Sequence, residues 1–220
     1  PINGVPLLQI WLDLLEREGI EAVLLNVSRH ADMVEDFLRG RNWNIEICLV
    51  REANPLGHAG TVLANRDFIQ EEDSFFVFYA DNLVDASFDE LLAFHRGHSG
   101  VLSMALFRTA VPRSSGIVDL APDGRIRHFE EKPLNPRGNL ANAGIYVARP
   151  RLLDAIPLGP FPVDFGRDVF PRIVGRMYGQ VLDGYLQDIG TPAALLQGCY
   201  DWEARMRSRD SFDVAIREAK

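Results

Sequence analysis

The chain has 220 residues, 47% of them hydrophobic and 25% charged, which is enough apolar material for one substantial core, so a single domain over 1–220 is expected. A formal net charge of -8 at pH 7 and a pI near 5.1 argue against a broad nucleic-acid surface, which needs clustered Lys and Arg, but leave room for a local phosphate pocket. No stretch approaches the roughly 20 apolar residues that span a bilayer and no basic segment leads into a signal core, so no membrane partner and a cytoplasmic setting are expected.

Pro6 opens a helical pattern in which Leu7, Leu8, Trp11, Leu14 and Leu15 share one side, and Gly19 closes it. A buried strand over Ile20 to Val27 follows. The alternation then repeats: a helix from about Ala31 to Arg39, a strand Ile45 to Val50, a helix from about Gly60 to Phe68 and a strand Phe75 to Tyr79. This is the order of βαβ units, which build parallel sheets.

After a helix from about Phe88 to Gly97, strand-like segments crowd together at Val101 to Phe107, Gly116 to Leu120, Arg125 to Phe129 and Ala143 to Ala148, with Pro122-Asp123-Gly124 as a turn. The sheet is therefore expected to become mixed. A helix near Asp168 to Val174, short strands at Gln180 to Leu182 and Tyr185 to Leu186, and a helix from Pro192 to about Arg207 complete the series. Cys48 falls in a strand and Cys199 in a helix; with no CxxC spacing they read as reduced structural thiols.

Three segments carry candidate chemistry: Ala80-Asp81-Asn82, Glu130-Glu131-Lys132-Pro133 and Asp188-Ile189-Gly190-Thr191-Pro192. Asp81 and Asp188 are expected at strand ends, where an open α/β sheet forms its binding crevice. Taken singly, Asp81 also suits a turn acid and Asp188 a cap for the helix at Pro192. Lys132 suits a solvated charge, and Glu131 an ion pair with Lys132 or Arg127. His95 and His98 have helical spacing without an acid-rich zinc pattern and read as surface residues. Neither a Walker A loop nor GxGxxG occurs.

Together with Pro1-Ile2-Asn3-Gly4-Val5-Pro6-Leu7-Leu8, Pro55-Leu56-Gly57-His58-Ala59-Gly60 and Asn142-Ala143-Gly144-Ile145-Tyr146, the order and spacing of these segments resemble the sugar-1-phosphate nucleotidylyltransferases. The resemblance implies an α/β fold, a Rossmann-like three-layer α/β/α sandwich with a mixed, mostly parallel central sheet. It implies Mg²⁺ held by Asp81 and Asp188, and attack of a sugar 1-phosphate oxygen on the α-phosphorus of a nucleoside triphosphate with loss of pyrophosphate. Lys132 would neutralise the incoming phosphate and Glu131 would accept from sugar hydroxyls. Asn142 and Gly116 would line the sugar pocket, Gly57 would let the nucleobase approach bare backbone, and Asn82 would also meet substrate.

His58 stands where the family commonly has threonine, which leaves the base contact open; a solvent-facing histidine is the alternative. The stretch from Asp164 to Tyr185 most resembles the mannose-1-phosphate guanylyltransferase branch; thymidylyl or uridylyl transfer to a glucose-type 1-phosphate is the alternative within the class. A non-catalytic sugar-nucleotide-binding subunit is the alternative outside it. The family's first strand and its G-x-G-T-R loop are expected ahead of Pro1, and a homo-oligomer is left open.

Overall fold

The computed structural model describes residues 1–218, with side chains described to residue 208. Helix α1 spans Leu7–Arg17 and buries Ile10, Trp11, Leu12, Leu14 and Leu15, so the apolar side extends beyond the stripe read from the sequence. Strand β1 is Ala22–Val27, α2 is Ala31–Arg39 and β2 is Glu46–Arg51. β1 and β2 pair in parallel, as a βαβ unit demands. Helix α3 is His58–Ala64; it starts two residues before the expected Gly60, and a separate 3₁₀ turn carries Arg66–Phe68.

Strand β3 is Phe75–Phe78 and β4 is Asn82–Ala86. The sequence reading did not anticipate β4, because Asn82 and Asp85 interrupt its apolar run and strands of this composition are weak signals. Helix α4 is Asp89–Arg96, β5 is Leu102–Arg108, β6 is Gly116–Leu120, β7 is Ile126–Glu131 and β8 is Leu140–Ala148. A π-helical turn over Phe165–Val169 then runs into the short helix α5, Phe170–Ile173. Strands β9 (Met177–Val181) and β10 (Gly184–Asp188) and helix α6 (Pro192–Glu218) follow.

β8 is the hub of the main sheet. β3 and β6 pair with it antiparallel, β5 does the same with a register shift between Met104 and Leu106, and β9 joins β5 in parallel. β7 closes a hairpin on β6. By these pairings β3, β5, β6 and β9 run one way and β7 and β8 the other, so the sheet is mixed with one direction prevailing.

Period-2 alternation divides β5 and β8 between two cores. Met104, Leu106 and Tyr146 point into one cluster with Phe165, Phe170 and Leu152, while Ala105, Ile145 and Val147 point into the other with Trp11, Leu14, Phe88 and Leu91. A sheet apolar on both faces needs cover on both, and this is the three-layer arrangement expected.

Two histidines are corrected here. His95 is only 1% exposed and His98 is half-buried; both bond the Ser103 hydroxyl at 2.8 Å, and Arg149 donates to the carbonyls of His95 and His98. They tie α4 to β5 rather than facing solvent. No helix among the described residues is long and apolar enough to cross a membrane.

Candidate functional site

The polar constellation begins at β10. Its antiparallel pairing with β4 sets Asp188 opposite Asn82, so the segment carrying Asp81 and the segment carrying Asp188 meet although 107 positions separate them in the chain. Asp81 is exposed in the turn between β3 and β4, and its carboxylate has no hydrogen bond or ion pair among the described residues. Asp188 is the last residue of β10 and accepts from the Gly190 N–H at 2.8 Å. It does not cap α6: Thr191 does, its hydroxyl accepting from the Ala194 N–H at 3.1 Å.

Asn82 is anchored by both its main chain and its side chain. Its carbonyl accepts from the Trp11 indole N–H at 2.8 Å and its amide donates to the Ala143 carbonyl at 3.3 Å. Asn142 is likewise engaged, donating to the Tyr146 hydroxyl at 2.8 Å and accepting from the Gly144 N–H at 2.9 Å. Both asparagines thus brace the backbone around the site through their side-chain amides.

Lys132 lies just past the end of β7, exposed, with φ +48°, while Pro133 beside it is buried. A lysine in the left-handed region costs about 1 kcal/mol or more, and such strain gathers at functional positions. Next to it Glu131 is framed by glycines: a Cβ on Gly116 would lie 2.8 Å from its carboxylate, and one on Gly166 2.6 Å. Glu131 is exposed by surface area, but the groups crowded around its carboxyl strip it of part of its water and hold it above its usual range, the Lys132 charge opposing this and the Asp164 charge adding to it. Its side chain does not pair with Arg127, which bonds Asp119.

Gly57 takes φ +78° at the start of α3, and a Cβ there would fall 2.4 Å from the Val163 carbonyl oxygen. Only glycine fits. His58 follows, with Nδ1 3.0 Å from the Asp164 carboxylate and its ring stacked on Tyr79 at 4.0 Å between centroids. That bond is the main cause holding the Asp164 carboxyl below its usual range. Tyr79 meets Tyr146 edge-on at 5.6 Å, and burial raises both phenols.

Asp164, Tyr79 and Tyr146 were absent from the sequence-based site. Asp164 had a signal, since an acid ahead of a helical run is a cap, and its carboxylate does accept from the Arg167 N–H at 3.1 Å. Tyr79 and Tyr146 border two of the motifs without any mark of their own. Among the described residues no three His, Cys, Asp or Glu side chains cluster as a metal site, so a cation here would rest on two carboxylates, with water or ligand oxygens completing its shell.

A mixed sheet with apolar clusters on both faces and with Asp188 and the strained Lys132 at its strand ends defines an α/β protein of the layered, open-sheet class, whose binding crevices form at such ends. The nucleotidyl transferase family matches residues 1–205, and the chain belongs to that family. It is 32% identical over 199 residues to the mannose-1-phosphate guanylyltransferase catalytic subunit beta of Xenopus tropicalis, covering 88% of this chain and 55% of that protein. To mannose-1-phosphate guanylyltransferase 1 of Arabidopsis thaliana it is 31% identical, covering 88% and 55%. The chain therefore spans about half the length of these curated relatives. HddC from Yersinia pseudotuberculosis shares the fold, with a TM-score of 0.77 at 24% identity over 92% of this chain and 88% of that one.

Proposed function

We propose that the protein is a sugar-1-phosphate nucleotidylyltransferase, transferring a nucleotidyl group, guanylyl by preference, to mannose 1-phosphate or a related sugar phosphate. The observation that carries the proposal is the β4–β10 pairing, which sets Asp188 opposite Asn82, the neighbour of Asp81. Two oxygen-only ligands with an unpartnered carboxylate suit a hard Mg²⁺ ion, which when bound would neutralise phosphate charge. The residues do the rest by positioning, since phosphoryl chemistry asks little covalent work of a protein.

Lys132, an ammonium on a strained backbone, brings positive charge to the incoming sugar phosphate. Glu131, partly desolvated and framed by Gly116 and Gly166, has free acceptor capacity for sugar hydroxyls. The bare backbone of Gly57 suits close approach of a flat base.

The preference for guanylyl transfer to mannose 1-phosphate rests on the curated relatives. The test is pyrophosphate release by the full-length protein from each of four nucleoside triphosphates against mannose-, glucose- and heptose 1-phosphates, with and without Mg²⁺. GTP with mannose 1-phosphate and Mg²⁺ should give the highest kcat/KM. Tight sugar-nucleotide binding with no turnover for any pair would instead favour a binding subunit.

A further inference from the structure

His58 and Asp164 form a pair whose value is hard to assign to stability. The segments they join are already fastened by backbone: the N–H groups of Ala59 and Gly60 donate to the Val163 carbonyl at 3.1 and 3.3 Å, and the Val163 N–H donates to the Leu56 carbonyl at 2.8 Å. The His58 side chain is 55% exposed, and an exposed pair contributes little to folding. The pair is nevertheless held from several sides. Asp164 Oδ2 takes Nδ1 while Oδ1 accepts from the Arg167 N–H, and Tyr79 covers one face of the ring.

A carboxylate at Nδ1 selects the tautomer with the proton there, which fixes the role of Nε2. Nε2 has no partner among the described residues, and Glu131 is close by: a Cβ on Gly166 would lie 2.6 Å from the Glu131 carboxylate and 3.2 Å from that of Asp164, which holds the imidazole at 3.0 Å. Two groups of different hydrogen-bonding character, an imidazole nitrogen and a carboxylate, are therefore neighbours on the same face of the protein, either side of Asp164 and Gly166. Such a pair suits adjacent hydroxyls on a sugar ring, because each hydroxyl both donates and accepts and their relative orientation decides whether both bonds form.

We infer that His58 selects among sugar 1-phosphates by bonding one ring hydroxyl through Nε2, and that Asp164 is the positioning residue that sets its tautomer and plane. This rests on the proposed nucleotidyl transfer and adds to it the residues that read sugar configuration. Asp164→Asn is the informative change. Its amide oxygen can still cap the Arg167 N–H, but its amide nitrogen offers a donor to Nδ1, which drives the imidazole to the opposite tautomer.

The experiment measures KM and kcat separately for both substrates in the full-length protein, for wild type, His58→Ala, Asp164→Asn and the double variant. Loss of the His58 hydrogen bond should raise the sugar 1-phosphate KM by about tenfold in His58→Ala, and its reversed direction should raise it by a smaller factor in Asp164→Asn, with kcat and the nucleotide KM within about twofold in both. Because Asp164 acts through His58, the double variant should be no worse than His58→Ala. Discrimination between the mannose and glucose epimers should fall by a similar factor. An unchanged sugar KM, a rise in the nucleotide KM instead, or additive losses would each overturn the inference. A wild type inactive with every substrate pair would strike the proposed transfer itself, and equilibrium binding of mannose 1-phosphate, measured by calorimetry on the same four proteins, would then decide the His58 assignment: equal affinity in all four overturns it.

Discussion

Asp81 and Asp188 differ in what their removal should do to folding and to turnover. Among the described residues the Asp81 carboxylate has no partner and the Asp188 carboxylate makes one hydrogen bond, from the Gly190 N–H, which could donate equally to an asparagine oxygen. Asp81→Asn and Asp188→Asn should therefore leave the thermal midpoint within about 2 °C, since surface changes of this kind stay within about 0.5 kcal/mol. Each should abolish pyrophosphate release; wild-type rates in either variant would remove the metal assignment. Lys132 permits a sharper separation. Lys132→Gly relieves the positive φ, so it should raise the midpoint by about 2–4 °C while lowering turnover, measured by a thermal melt and a rate on one sample. An unchanged rate would make Lys132 a turn residue and nothing more.

Helix α4 is held against β5 and β8 through His95, His98, Ser103 and Arg149, and this assembly makes stability depend on pH. Burial, with the charges of Arg149, His98 and Arg151 adding to it, lowers His95 from 6.5 to about 3. Burial and Arg149 also lower His98. In the unfolded chain both imidazoles take up protons below about pH 6.5, whereas in the fold His95 stays neutral down to about pH 3. The unfolded state thus binds more protons across that window, so stability is highest above it and falls as pH drops, by up to about 1.4 kcal/mol per pH unit for this residue. Urea unfolding at pH 7 and pH 5 checks it: His95→Gln should flatten the difference, and an equally steep fall in the variant would assign the effect to other groups.

Across the whole molecule, packing is uneven. β8 is paired on both edges and lies between two apolar clusters, whereas α2 buries no residue and β1 and β2 are half-exposed along most of their length. A two-stranded ladder with one thinly packed helix opens at lower cost than a central strand. Native-state hydrogen exchange on this chain should show the amides of 22–27 and 46–51 exchanging well before those of 102–106 and 145–148. Equal protection in both groups would contradict this.

Much of this architecture could be read from residues near one another in the chain. The helix periodicity of Leu7 to Leu15, the boundaries of Ala31–Arg39 and Gly116–Leu120, and the motif segments around Asp81, Lys132 and Asp188 all follow from local patterns, because propensity and 3.6- or 2-residue periodicity act over a few residues. β4 escaped because its strand character comes from pairing with β10, 98 to 106 positions away. His95 was misplaced at the surface because nothing within its own helix reveals Ser103 and Arg149 closing over it. Which chemical groups the protein carries was thus written in its sequence, while their partners were decided by the tertiary structure: Asp188 beside Asn82, Asp164 on His58, Tyr79 under the imidazole. Contacts between remote segments depend on how whole faces bury against one another, and that information is distributed over every strand that pairs and every side chain that packs.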